Sequence, residues 1–243
     1  MDFVEDKLTV GLKELGLEAG NRELEMLRGF YENLIEWNKV MNLTAITDRE
    51  EVYEKHFLDS LSMQKALPAD FDGKGMKLID VGTGAGFPGM PIAIFYPALQ
   101  VTLMDSLNKR TRFLQDTVEK LHLTNVEVIH SRAEDLARNP AYREQFDLCA
   151  SRAVANLATL SEYCLPFIKT NGLFISYKAE KGEAELEEGK KAIAVLGGKA
   201  EKTVSFLLPG TDYGRILIPI RKIKSTPKRF PRKAGVPSKE PIR

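Results

Sequence analysis

Gly84, Gly86 and Gly89 form a Gly-x-Gly-x-x-Gly pattern between the apolar run Leu78-Ile79-Asp80-Val81 and the segment Met90-Pro91-Ile92-Ala93-Ile94. Glycines at a strand-to-helix turn let a ligand approach the backbone closely, and dinucleotide sites hold a pyrophosphate this way. The same turn accepts S-adenosylmethionine equally well. Asp80 weighs between the two. A carboxylate at the mouth of the turn would repel a doubly negative pyrophosphate, and it would favour a sulfonium and an ammonium group. S-adenosylmethionine is therefore the expected cofactor, with Gly82, Gly84, Gly86 and Phe87 shaping its turn and Asp80 facing its cationic end. A nicotinamide-dependent oxidoreductase is the rival, opposed also by the lack of a placed Tyr-x-x-x-Lys or histidine hydride-transfer set.

In an open α/β sheet the ligand lies outside the carboxyl ends of the strands, so the other strand ends belong to the same reading. Asp105 and Ser106 follow the second run; Asp105 is placed either to accept from a ribose diol or to cap the next helix. Ala133-Glu134 follows the third, where adenine would rest or where Glu134 is simply a helix-start acid. The fourth ends in Ser151-Arg152-Ala153-Val154 and the fifth in Lys178. Arg152 could clamp a carboxylate, a phosphate or a base edge, or form a surface ion pair. Arg152 and Lys178 are the residues expected to border the acceptor. No Asn/Asp-Pro-Pro-aromatic motif serves an exocyclic amine, and Cys149 and Cys164 read as core thiols. What remains suits an acceptor that needs no deprotonation, such as guanine N7.

His56 and Asp59 stand one helical turn apart in HFLDSL; polar capping of a helical part against a sheet is preferred to a metal pair, and no metal site is expected. His122 and His130 read as structural residues without partners.

The elements that must carry these residues follow from periodicity. Residues 22–41 place Leu24, Leu27, Tyr31, Leu34 and Ile35 near one face, an amphipathic helix. Asp48 and Glu51 have capping-box spacing ahead of a helix running to about Leu67. Runs at 77–81, 99–105, 126–130, 146–151 and 172–178 alternate with helical stretches, and two closing runs at 202–209 and 214–222 suit an antiparallel hairpin. The expected fold is α/β: a Rossmann-like class I methyltransferase, its mostly parallel seven-stranded sheet ending in that hairpin, with a helical appendage over 1–72, a cofactor-binding domain over 73–222 and a tail over 223–243.

With 43% hydrophobic and 28% charged residues and no long apolar run, the chain reads as a globular, cytoplasmic protein, and a monomer is the working expectation. Its net charge of +1 conceals a division: residues 221–243 hold nine Lys or Arg against one Glu, net +8, while residues 1–220 carry −7. That basic, proline-punctuated end is expected to stay extended and to touch an RNA backbone, with Phe230 as a stacking group.

Taken together, WNKVMNLTAIT, HFLDSL, DVGTGAGFPGMPIAI, SRAEDL, SRAV and PRKAGVPSKEPI resemble the RsmG family, also called glucose-inhibited division protein B, over nearly the whole chain. The resemblance implies 16S ribosomal RNA as partner, guanine 527 as the N7-methylated base, and contacts to S-adenosylmethionine from Gly82, Phe87, Ala133, Glu134 and Arg152.

Overall fold

The computed structural model describes residues 2–152, 154–179 and 182–243. Among these residues eight strands form one sheet: β1 (Lys77–Val81), β2 (Gln100–Asp105), β3 (Val126–His130), β4 (Phe146–Arg152), β5 (Ile168–Lys178), β6 (Gly198–Ala200), β7 (Val204–Leu207) and β8 (Gly214–Lys222). Their order is β3-β2-β1-β4-β5-β8-β6, with β7 also on β8. The first five are parallel, and β8 runs antiparallel to β5. The order reverses beside β1, which places the glycine turn at the switch point where α/β sheets bind ligands.

Seven strands were expected, and there are seven positions across the sheet. The outermost is divided: β6 pairs with residues 220–222 of β8, and β7 with residues 214–217. The break falls opposite Pro219, whose carbonyl accepts from the Glu201 N–H on that side but which has no N–H to return.

Alternation along the strands builds two cores. Ile79, Val81, Cys149, Phe174 and Ile218 pack under helices Leu157–Cys164 and Gly182–Val195. On the other face Leu78, Leu103, Ala150 and Ile175 belong to a single buried cluster with Leu12, Phe30 and Phe57 from the N-terminal helices Phe3–Glu14, Asn21–Asn38 and the helical stretch from Arg49 to Ala66. That stretch starts where expected, with the Asp48 carboxylate accepting from the Glu51 N–H at 3.0 Å. Its middle, Tyr53–Leu58, is wound as a π-helix. Such turns commonly mark functional sites, and His56 sits in this one. No helix among the described residues is long and apolar enough to cross a membrane.

The C-terminal segment departs from the expected extended tail. Phe230 is only 7% exposed and packs in the second core, so its ring is not available for stacking on a base. Arg143 donates to the Thr226 and Phe230 carbonyls at 2.8 and 2.9 Å, Arg138 donates to the Pro231 carbonyl, and a short helix forms at Val236–Lys239. Arg232 grips the buried Glu162 with three side-chain hydrogen bonds of 2.7 to 3.1 Å, and its backbone N–H adds a fourth. Removing the guanidinium strands a carboxylate in the core. Arg232→Ala should therefore cost about 3 kcal/mol in urea unfolding; a loss below about 1 kcal/mol would show that the docked segment contributes little.

Candidate active site

The turn after β1 passes through Gly82, Gly84 and Gly86, all at positive φ. Gly84 decides the shape of the site. Its φ is +62°, a side chain there would meet open space, and its N–H donates to Asp105 Oδ2 at 3.0 Å. The chain thus leaves bare backbone facing a cavity of about 360 Å³. Gly82, Thr83, Phe87, Asp105, Ser106 and Arg110 are among its lining residues. Small-molecule sites are commonly about 300 to 1,000 Å³ and combine apolar walls with a few fixed polar groups. The fit to S-adenosylmethionine is good at two points: the open backbone at Gly84, and the Asp105 carboxylate, fixed by the Gly84 and Leu107 N–H groups with lone pairs left for a diol. Arg110 adds a guanidinium at 3.3 Å from Asp105 Oδ2. His130, expected to stand alone, lies with Nε2 at 3.1 Å from the Ser106 carbonyl and steadies the same strand end.

A second cavity, of about 630 Å³, adjoins the first, and His56, Arg152 and Val154 line both. Arg152 is the hinge between them. Nη1 donates to the Lys55 carbonyl at 2.9 Å and to Asp59 Oδ2 at 2.8 Å, Nη2 lies 3.2 Å from His56 Nδ1, and the guanidinium sits 5.3 Å from the centre of the Phe87 ring. Asp59 Oδ1 is taken by Arg215 Nε at 2.8 Å. The His56 ring stacks on Phe87 at 4.5 Å. Burial and the neighbouring Arg152 charge push its pKa down to about 4, so the imidazole is neutral near pH 7. HFLDSL therefore caps the sheet, as its spacing suggested, and it also walls the site. Lys178 borders the second cavity, with Nζ at 2.8 Å from the Ala155 carbonyl and 2.6 Å from Glu185 Oε2.

Three expected ligand-facing residues are not among the residues that line the two cavities. Asp80 lines neither cavity: it points into the first core, fully buried, with Oδ2 accepting from the Gly89 N–H at 2.8 Å. It holds the turn from behind rather than facing either cavity. Ala133 and Glu134 line neither cavity, and Glu134 Oε1 accepts from the Gly235 N–H at 2.8 Å because the C-terminal segment folds over it. Within Ser151-Arg152-Ala153-Val154, Ala153 lies outside the described residues. Reading the motifs alone missed Arg110, Arg215 and Glu185. Arg110 had a signal, five residues past Asp105 in the first turn of the helix Asn108–Lys120, whereas Arg215 and Glu185 reach the site only through the tertiary fold.

Burial pushes the Asp80 pKa up to about 7, against an ordinary value of 3.8. The folded state therefore holds this proton more tightly than the unfolded chain does. Stability from this group is complete below about pH 4 and is lost as pH rises through about 7. Asp80→Asn removes the titration, so the melting temperature of the wild type should fall relative to the variant between pH 5 and pH 8; a gap independent of pH would contradict the assignment.

Comparison with known proteins gives the family and the fold. Residues 23–211 match the family model for rRNA small subunit methyltransferase G, GidB. The ribosomal RNA small subunit methyltransferase G of Lachnoclostridium phytofermentans is 52% identical over 232 residues, 96% of this chain and 95% of that protein. The Bacillus subtilis protein of the same name is 48% identical over 237 residues, 98% of each. Among solved structures, M. jannaschii TYW2 in complex with AdoMet aligns with a TM-score of 0.52 at 16% identity, over 63% of this chain and 72% of that one. A SAM-dependent methyltransferase from Aquifex aeolicus aligns at 0.51 and 18%, over 77% and 98%. These distant structures share the fold, a Rossmann-like methyltransferase sheet. Identity of about half over nearly the full length goes further, and the chain belongs to the rRNA small subunit methyltransferase G family.

Proposed function

We propose that this S-adenosylmethionine-dependent methyltransferase of small-subunit ribosomal RNA acts in the cytoplasm and methylates N7 of a guanine, guanine 527 of 16S RNA by the resemblance of its motifs. The observation that carries the reading is the pair of cavities meeting at His56, Arg152 and Val154, with no free general base at their junction among the described residues. His56 is neutral, but its Nδ1 faces Arg152 and its Nε2 lies 3.0 Å from the Thr44 hydroxyl; Asp59 is held by two arginines. At that junction these groups cannot readily strip a proton from an amine or hydroxyl. Guanine N7 needs none, because its lone pair is already exposed.

When bound, S-adenosylmethionine would supply an electrophilic methyl group on a sulfonium. Gly82, Gly84 and Phe87 would shape its seat and Asp105 and Ser106 would receive its ribose. Asp80 would contribute indirectly, by fixing the start of the helix Gly89–Phe95. Arg152, immobilised by three partners, would orient the acceptor's oxygen edge, and Lys178 would border the acceptor cavity. Lys55, Arg152, Lys178 and Arg215 give that cavity four cations against the carboxylates Asp59 and Glu185, a balance that suits a nucleotide phosphate. The exposed Lys224, Lys228, Arg229 and Lys233 of the docked C-terminal segment would meet the RNA backbone farther out.

The decisive assay supplies labelled S-adenosylmethionine and unmethylated small subunits or 16S RNA, then maps N7-methylguanosine by chain cleavage at the modified base. One cleaved guanine is expected, and its absence would remove the N7 assignment. Arg152→Ala should lower kcat/KM by about 100-fold or more, and Asp105→Asn should weaken cofactor binding about tenfold, read by titration calorimetry with S-adenosylhomocysteine.

A further inference from the structure

The two carboxylates on the wall of the second cavity differ in what they can still accept. Asp59 is spent, with one oxygen on Arg152 and the other on Arg215. Glu185, on the helix Gly182–Val195, accepts at Oε2 from Lys178 Nζ at 2.6 Å and from the Leu157 N–H at 3.1 Å. Its side chain remains 31% exposed, and Oε1 has no partner among the described residues. A lysine and a backbone N–H thus fix one oxygen of this carboxylate and leave the other for a donor on the ligand. Glu185 lines the second cavity and not the first, so it lies away from the cofactor.

This placement has a chemical consequence that rests on the guanine-N7 reading. With N7 at the junction beside Arg152, the opposite edge of the purine, bearing N1–H and N2–H₂, is directed away from the cofactor. We propose that Glu185 reads this edge and is the residue by which the site selects guanine. The free Oε1 has two lone pairs and accepts from the N1–H and 2-amino donors of guanine, whereas adenine presents a bare N1 lone pair and no 2-amino group, leaving Glu185 facing an acceptor. Bond formation at N7 also turns the purine into a cation and acidifies N1–H. The contact to Glu185 therefore strengthens as the reaction proceeds, which contributes to rate as well as to choice. Lys178 is then a positioning residue that aims Glu185.

The test pairs a protein change with a substrate change. Glu185→Gln keeps the shape and can still accept from Lys178 and Leu157, but it presents an amide donor where the purine edge also donates. Full-length wild type and E185Q are compared in single-turnover methylation of 16S RNA carrying guanosine or inosine, which lacks the 2-amino group, at the methylated position. The wild type should prefer guanosine about tenfold; E185Q should methylate guanosine roughly 10- to 100-fold more slowly and lose the preference, with S-adenosylhomocysteine binding unchanged. Equal wild-type rates on the two RNAs, or a preference that survives in E185Q, would overturn the assignment. Should E185Q fail to bind S-adenosylhomocysteine, the wild-type ratio decides alone. A wild-type protein that makes no N7-methylguanosine on guanosine RNA fails at the earlier step and overturns the N7 reading itself, with this assignment.

Discussion

A carboxylate between two guanidinium groups holds the site together. Asp59 comes from the N-terminal helical stretch, Arg152 from the end of β4 and Arg215 from the start of β8, and both arginines bond to Asp59 at 2.8 Å. Burying one carboxylate is costly, and the geometry compensates by giving each oxygen its own charged donor. The three elements are thereby brought over the carboxyl ends of the strands, where they form the wall shared by the two cavities. Arg152 can be aimed because it is restrained at Lys55, His56 and Asp59 together.

Behind this polar clamp lies an aromatic one. Phe30 packs within 5.5 Å of Phe57 and 5.2 Å of Phe87, and it also neighbours Phe113. These rings come from helix, π-turn, glycine loop and the helix after β2. A turn rich in glycine would ordinarily be loose, and here Phe87 anchors it into the first core while one side of its ring faces His56. The N-terminal helices therefore do more than decorate the sheet: they supply the rigid backing against which the cofactor turn keeps its shape.

Charge is distributed less simply than composition implies. The basic C-terminal stretch spends Arg232 on the buried Glu162, Arg221 on Glu201 and Lys222 on the Leu165 carbonyl and the Thr226 hydroxyl. Part of the apparent RNA-binding charge thus serves to dock the segment onto the domain. Body arginines, Arg138 and Arg143, hold its carbonyls in turn. Through the Gly235 N–H the same segment captures Glu134, linking it to the short helix Ala133–Leu136 after β3.

The parallel sheet, the closing hairpin, the glycine turn and the strand-end residues Asp105, Ser106, Arg152 and Lys178 were legible in the chain alone. Each is announced by a local pattern: alternation of apolar residues, a turn that only glycine accommodates, or a polar residue directly after a strand. Local pattern could not show which way Asp80 points, because strand alternation assigns it to a face without saying what covers that face. The covering helices turn it into a buried prop. Nor could it show that Phe230 enters a core, that Glu134 is claimed by a segment 101 residues away, or that Arg215 and Glu185 arrive beside Arg152. Sequence determined what kinds of groups would stand at the strand ends. Tertiary structure decided which of them face the cavities, because burial and hydrogen-bond satisfaction are settled between elements distant in the chain.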